Sequence, residues 1–322
     1  MHSIASAPGA RSLFAASVLA RLPLEMLGIG LLVQTEHLTG SFAAAGVVTG
    51  VYAIAVGVGG PLLGQLVDRR GQTSVLLLTA TVAATLLGAI AVLPAGASLG
   101  VIIALAAGIG VATPPVGACL RTRLPALLPD PSALRAAYAL ETSVVELTYV
   151  CGPPLVLCID ALWSAGAALA VAGVVLLGAT AAFAAQPASR SWRPEPAGPR
   201  PRGGSLGTPA MRTLVIVLIL LGVLLGAAEV AVTAAATTLD STTAAAPLFA
   251  LWGAGSLVGG LLVTRGGGGP RSAAGLALLL GALTVGHVVL IPADGSMLAL
   301  GAALLFAGAA IAPTEATVYA MV

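Results

Sequence analysis

Apolar runs long enough to cross a bilayer follow one another along this chain, and charged residues gather in the short gaps between them. Ten such runs lie near residues 12–33, 42–66, 74–93, 98–119, 136–158, 162–184, 213–235, 245–263, 273–291 and 297–319. A spanning helix needs about 20 mainly apolar residues. The runs are continuously apolar, whereas a barrel strand alternates and is shorter, so helices are predicted throughout. A helix satisfies its own backbone polar groups in hydrocarbon, and the predicted fold class is therefore an all-α membrane bundle.

Composition and charge fix the solvent and an orientation. The 322 residues are 58% hydrophobic and 8% charged, against about 25% charged in a soluble domain. The lipid bilayer is the expected environment. All 14 basic residues are arginine, in a chain rich in Ala, Gly and Val. That usage reads as a GC-rich bacterial genome and points to the inner (plasma) membrane. With the N-terminus cytoplasmic, inner segments hold Arg11, Arg69, Arg70, Arg121, Arg123, Arg135, Arg190, Arg193, Arg200, Arg202, Arg212, Arg265 and Arg271. The outer loops hold no arginine and instead carry Glu36, Asp160, Asp240 and Asp294. This is the positive-inside pattern. Arg11 before the first run imitates a signal peptide, but no small-residue cleavage site follows, and an uncleaved first span is expected.

Other chemistries find little footing. Cys119, Cys151 and Cys158 all lie in apolar segments, which suggests neither a disulfide framework nor a zinc site. No Ser–His–Asp, His–Glu–His or nucleotide-binding arrangement is present, and the Gly266–Gly269 run lacks the lysine of a phosphate loop. An enzyme is therefore not expected, nor a cofactor, a metal or a nucleic-acid partner.

The chain divides around residues 186–210, a proline-, arginine- and glycine-rich stretch with too little apolar surface to fold, read as a cytoplasmic linker. It separates a six-helix half, residues 1–185, from four helices in residues 211–322. The halves look related. Gly108-Ile109-Gly110-Val111-Ala112-Thr113-Pro114-Pro115 in span 4 resembles Gly308-Ala309-Ala310-Ile311-Ala312-Pro313-Thr314-Glu315 in span 10. The turns Pro94–Ser98 and Pro292–Ser296 match at a similar offset, and Gly64–Gly71 has a faded echo in Gly259–Gly266. Parallel repeats of this kind are a transporter architecture, with the solute site between halves near the midplane.

Between spans 2 and 3 stands Gly64-Gln65-Leu66-Val67-Asp68-Arg69-Arg70-Gly71, a charged turn bracketed by glycines. Gly64 is expected to let helices approach, and Gly71 to permit a turn at positive φ. Asp68 can accept from a helix N-terminus or pair with arginine. The plainer reading is a positive-inside anchor with an incidental Asp. With Gly64, Leu66, Asp68, Arg69 and Gly71 the segment resembles the signature of the major facilitator superfamily, departing from it at Gln72 and Thr73, where a basic pair is usual. The resemblance covers essentially the whole chain and implies a bundle of two parallel-related six-helix halves, an inner gating latch at Gly64, Asp68, Arg69 and Gly71, and alternating access. The family has twelve helices and this chain about ten, so a truncated form is expected. Span 5 carries Gly152-Pro153-Pro154, which is similar to the Gly-Pro core of drug–proton antiporters without its flanking glycines; a kink is expected there. The arginine that those antiporters often place in span 4 is absent.

Six charges lie inside spans, where each costs about 2.5–3.5 kcal/mol on insertion scales and normally faces a partner or cavity. Arg21 and Glu25 share one face of span 1, four residues apart. They are either a self-neutralising pair or a solute and proton site. Glu146, near mid-span on span 5, is the proton-carrier candidate, against a packing role beside Thr142 or Tyr149. Glu141 is assigned to pairing with Arg123 or Arg135. Glu229, among small neighbours on span 7, and Glu315, after Pro313 on span 10, are further candidates; the bland alternatives are a vestibule wall residue and an interfacial acid. His287 reads as a polar residue packed near the outer surface. The superfamily resemblance implies that these charged spans are the inner ones. The function expected is proton-coupled efflux of amphipathic or cationic compounds by a monomer, driven by the proton gradient. The alternatives are a facilitator or importer of a small metabolite, or a non-transporting remnant or sensor.

Overall fold

A computed structural model of the chain describes residues 10–128, 131–191, 208–238, 245–265, 272–291 and 295–321. They fold into helices: α1 Ala10–Thr39, α2 Phe42–Arg70, α3 Gln72–Ala91, α4 Leu99–Val111, α5 Val116–Leu127, α6 Pro131–Leu162, α7 Ala165–Ala185 and the single turn α8 Pro187–Arg190. α9 Pro209–Thr238, α10 Ala245–Arg265, α11 Ala273–Val288, α12 Met297–Gly308 and α13 Ile311–Met321 follow. Among the described residues there is no strand. Two compact units result, residues 1–195 and 196–322.

Local chemistry sets the helix ends. Gly40 at φ 68° turns the chain after α1, and the Ser41 side chain then caps α2 by accepting from the Ala44 N–H. Ser164 and Ser272 cap α7 and α11 in the same way, accepting from Ala167 and Gly275. Each satisfies one of the backbone donors that a helix start leaves open. Gly71 ends α2 at φ 87°, with its N–H on the Val67 carbonyl, a backbone state that side-chain-bearing residues adopt only with strain.

In the N-terminal unit α1 is central and packs against α2, α6 and α7, while α3 lies on α7 and α4 on α2. Residues from six helices, among them Leu13, Val67, Leu76, Leu120, Ala137 and Phe183, close a core at one end of this unit. Close backbone approach is made by glycine. A Cβ on Gly59 would stand 2.8 Å from the Val111 backbone, and one on Gly110 2.6 Å from the Tyr52 carbonyl, which presses α2 onto α4. The C-terminal unit repeats this joint. Gly259 sits on the Ala309 backbone, Gly255 on Leu305, and Gly308 on Trp252, pressing α10 onto α12. Its apolar core runs between α9, α11 and α13 through Leu214, Leu276 and Val318. Ile54, Val174, Ile219, Leu278 and Leu298 are exposed, as expected of surfaces that meet lipid or other apolar partners.

Several expectations change. Among the described residues, eight helices are long and apolar enough to cross a membrane, and two further apolar stretches, Leu147–Leu162 and Ala273–Val288, are shorter. Span 4 is split into α4 and α5 and span 10 into α12 and α13. Gly64 does not mediate helix approach, because a Cβ there would meet open space; Gly59, five residues earlier, does that work. α6 remains a continuous helix through Pro153 and Pro154, and a span is interrupted at span 4. The first turn of the supposed linker is α8, packed on the N-terminal unit through buried Ser189. Pro292–Asp294 and most of the linker lie outside the described residues.

Candidate functional site

The charged pair of α1 lies between two glycines of neighbouring helices. Arg21 and Glu25 are both half-buried, with buried Pro23 between them. The Arg21 guanidinium rests on Gly117 of α5, where even a single added carbon would collide with it. On the other side Gly152 of α6 faces Glu25, where a Cβ would stand 2.8 Å from the Glu25 Cβ and 2.9 Å from its backbone carbonyl carbon. Thus α5 gives up a side chain to seat the cation, and α6 gives one up to approach the helix at the acid. Gly152 stands in the sequence reading as part of a kink; the geometry also makes it a contact surface. Gly117 is absent from that reading, since nothing in a glycine's immediate sequence shows what faces it.

Gly117 can receive Arg21 because the span that carries it is broken nearby. A residue before proline is pushed out of the α region, so Pro114 and Pro115 together displace Thr113 and Pro114 from helical geometry. The chain leaves α4 at Ala112 and re-enters a helix after Pro115, at φ −80° and ψ 52°. Thr113 returns its hydroxyl to the Ile109 carbonyl at 3.0 Å. In the C-terminal unit the corresponding break falls between Gly308 and Ile311, and the Ser256 hydroxyl accepts from the Ala312 N–H at 3.2 Å. The two sequences singled out as a repeat are therefore both broken, at residues 112–115 in one and 309–310 in the other.

At the arginine-bearing end of the N-terminal unit, Asp68, Arg69 and Arg70 are exposed in the last turn of α2. The departure from the family signature turns out to be structural. Gln72 is buried at 1% exposure, donates to Thr122 of α5 at 3.2 Å and accepts from Ser189 of α8 at 3.4 Å. An amide has a donor and an acceptor, so it bridges two hydroxyls where a cation would have no acceptor to offer. At the opposite end His37 lies 3.8 Å from the Glu36 carboxylate and 3.9 Å from that of Asp160.

The remaining candidates are scattered. Glu146 is on α6, but its side chain, like those of Glu141 and Arg135, lies outside the described residues. Glu229 is half-buried on α9, with open space beside Gly222 and Gly226. Glu315 is half-buried on α13, and His287 is buried on α11. Within the described residues no group of three or more His, Cys, Asp or Glu could hold a metal.

The family model described as Major Facilitator Superfamily matches residues 13–322. The chain belongs to that superfamily. A comparison with curated protein sequences finds no match. Among solved structures, the chain is similar to a bacterial homolog of the human lysosomal transporter Spinster, in an inward-facing and unoccupied conformation. That likeness has 14% identity and TM-score 0.62, over 96% of this chain and 73% of the other. It is also similar to a D-xylose–proton symporter, at 16% identity and TM-score 0.57, over 95% of this chain and 80% of the other. These likenesses show the fold. As a member of the Major Facilitator Superfamily this chain is a multi-pass membrane transporter.

Proposed function

We propose that the protein couples proton movement to transport of a neutral or cationic small molecule by alternating access, with Arg21 and Glu25 at the working centre of the N-terminal unit. The observation that carries this reading is the glycine seat on either side of the pair. A charge pair serving only its own insertion needs no cleared space on two other helices. Protonation of Glu25 would remove a negative charge one helical turn from Arg21, and that change gives the proton a differential interaction with two conformations, which any coupling requires. Glu146 on α6 is the second proton candidate, and Glu229 and Glu315 are acids that favour cationic or neutral solutes over anionic ones. The inner latch role is assigned to Asp68 and Arg69, held in register by Gly71 and Gln72. Export of amphipathic cations is the leading direction. Uptake with protons is the second reading, supported by the likeness to a D-xylose–proton symporter.

The test uses the chain in proteoliposomes under an imposed pH gradient, with a panel of amphipathic cations and of neutral sugars. At least one class should move with the gradient, against protons for an antiporter and with them for a symporter. Glu25→Gln should abolish gradient dependence while leaving solute exchange, and Glu146→Gln should weaken it. Gradient-driven transport that survives Glu25→Gln unchanged removes the pair from the coupling mechanism.

A further inference from the structure

Five arginines gather at one hydrogen-bonded junction of the N-terminal unit. Gln72 at the start of α3 donates to Thr122 of α5 at 3.2 Å and accepts from Ser189 of α8 at 3.4 Å, and Arg123 Nη2 donates to Ser191 at 3.5 Å. These bonds draw three segments of the chain together. Arg69 and Arg70 precede Gln72, Arg121 and Arg123 flank Thr122, and Arg190 stands between Ser189 and Ser191. Four of the five are exposed, and Arg123 is half-buried. Within residues 68–72, 121–123 and 189–191 the one acid is Asp68. Arg69, Arg70 and Arg123 form no ion pair among the described residues, and the buried Arg123 Nε has no hydrogen-bond partner. Charges of one sign held together repel, and the fold collects guanidiniums here without carboxylates to match them.

The place of the cluster says what anion it suits. Arg69 and Arg70 end the apolar helix Phe42–Arg70, and Arg121 and Arg123 lie near the end of the Leu99–Leu127 stretch. The ends of spanning helices stand at the depth of lipid headgroups. On α2 an exposed apolar row leads toward the arginines. Ile54, Val58 and Leu62 recur every four residues and are 70%, 54% and 55% exposed. Arg69 follows Leu62 by seven residues, about two helical turns, and so continues that face. An apolar row that ends in cations matches a phospholipid, whose acyl chains suit the first and whose phosphate suits the second. A free phosphate or an acidic peptide has a use for the arginines alone.

We propose that this cluster binds an anionic phospholipid of the cytoplasmic leaflet, its phosphodiester among Arg69, Arg70 and Arg123 and its acyl chains along Ile54, Val58 and Leu62. Guanidinium suits this task, since its planar fork presents parallel N–H donors to phosphate oxygens. Basic groups at the end of a span are drawn to the anionic lipids of that leaflet. The headgroup supplies the negative charge that the three segments lack, at the place where Gln72 already ties α3, α5 and α8 together. The inference needs no transported solute and no proton, and it stands or falls apart from the role of Glu25.

The test offers the whole chain, in detergent, an equimolar mixture of phosphatidylglycerol and phosphatidylcholine with identical acyl chains. Native mass spectrometry then counts the lipids retained. Phosphatidylglycerol should be held in preference, and Arg70→Gln and Arg123→Gln should each lower that preference about fivefold, the change that matches about 1 kcal/mol per basic group at an anionic surface. Leu62→Gln should lower phosphatidylglycerol retention too, because the acyl chains lose their row. Arg212→Gln, in the C-terminal unit, should leave the preference unchanged. Equal retention of the two lipids overturns the proposal, as does a preference that survives both arginine variants or falls equally in Arg212→Gln. Inorganic phosphate at matched ionic strength should not raise the unfolding temperature. A rise that is lost in Arg123→Gln would give the site to a free anion and overturn the lipid assignment. Should Arg123→Gln fail to fold, the exposed Arg70 carries the test.

Discussion

At Gly117 the absence of one methyl group decides where a charge sits. Three glycines in the N-terminal unit look alike in sequence, yet their surroundings differ, and alanine should separate them. The atoms facing Gly117 are the far end of Arg21, which can swing away, so Gly117→Ala should displace the guanidinium and leave the fold nearly intact. Those facing Gly152 include the Glu25 backbone, at 2.9 Å and 3.0 Å from the built Cβ, which cannot yield without moving α1. Gly152→Ala should cost about 1–3 kcal/mol, as overpacking does. Gly64 faces open space, and alanine there should be neutral or gain up to about 1 kcal/mol of helix propensity. Thermal unfolding of the purified variants, beside the pH-gradient assay, gives the comparison. Transport should fall in Gly117→Ala without a matching loss of stability, and equal stability losses in all three would refute the assignment. The charged residues of this site were legible in the sequence, since Arg21 and Glu25 stand four apart in an apolar run. Their seats were not, because a glycine's role is set by a partner distant in the chain: Gly117 lies 96 residues from Arg21 and Gly152 lies 127 from Glu25.

At the scale of helices, the spans were legible because a bilayer admits one length and one pattern. Their interruptions were legible only in part. Pro114-Pro115 is a local steric instruction that breaks the span, whereas Pro153 and Pro154 lie inside the continuous helix α6. The difference lies in what precedes. Thr113 can return its hydroxyl to the Ile109 carbonyl when the backbone donor is lost, and α4 at that point is pinned to α2 by Gly59 and Gly110. In the C-terminal unit the break itself, Ala309 and Ala310, has no proline; Pro313 follows in the first turn of α13, whose start leans on another helix for a cap. Ser256 of α10 supplies it to Ala312, whereas Val56, its counterpart 200 residues earlier, cannot. Ser256→Ala should therefore destabilise the start of α13 by about 0.5–2 kcal/mol, the usual worth of an N-terminal cap. Hydrogen exchange should then quicken at the Ala312 amide and leave that of Val116 unchanged. Equal protection at Ala312 in both proteins would mean the hydroxyl does not hold the break.

For the whole molecule, the two units are variations on one plan, and the charges are sorted by its ends. Gly59 and Gly259 stand 200 residues apart and perform the same task in the α2–α4 and α10–α12 joints. The repeat read from alanine- and glycine-rich sequence is thus carried by residues that have a reason to recur. In the N-terminal unit Arg69, Arg121, Arg123 and Arg190 gather at the end closed by Gln72, Thr122 and Ser189, while Glu36, His37 and Asp160 meet at the other. A bilayer that follows the positive-inside rule places the arginine end in the cytoplasm, and a latch built on Asp68 would then close from within. This can be checked without knowing the solute. In a chain with Cys119→Ala, Cys151→Ser and Cys158→Ser, a single cysteine at Ala126 or at Ala95 is offered to a membrane-impermeant maleimide. Both positions are exposed, so access depends only on which side of the membrane they face. In intact cells the Ala95 variant should label and the Ala126 variant should not, and lysis should expose both. Labelling of Ala126 from outside would invert the molecule and turn the Gly64–Gly71 turn into an outer loop. The arginine count would then have failed as a guide, and an inner latch could no longer explain why Gln72 ties that turn to α5 and α8.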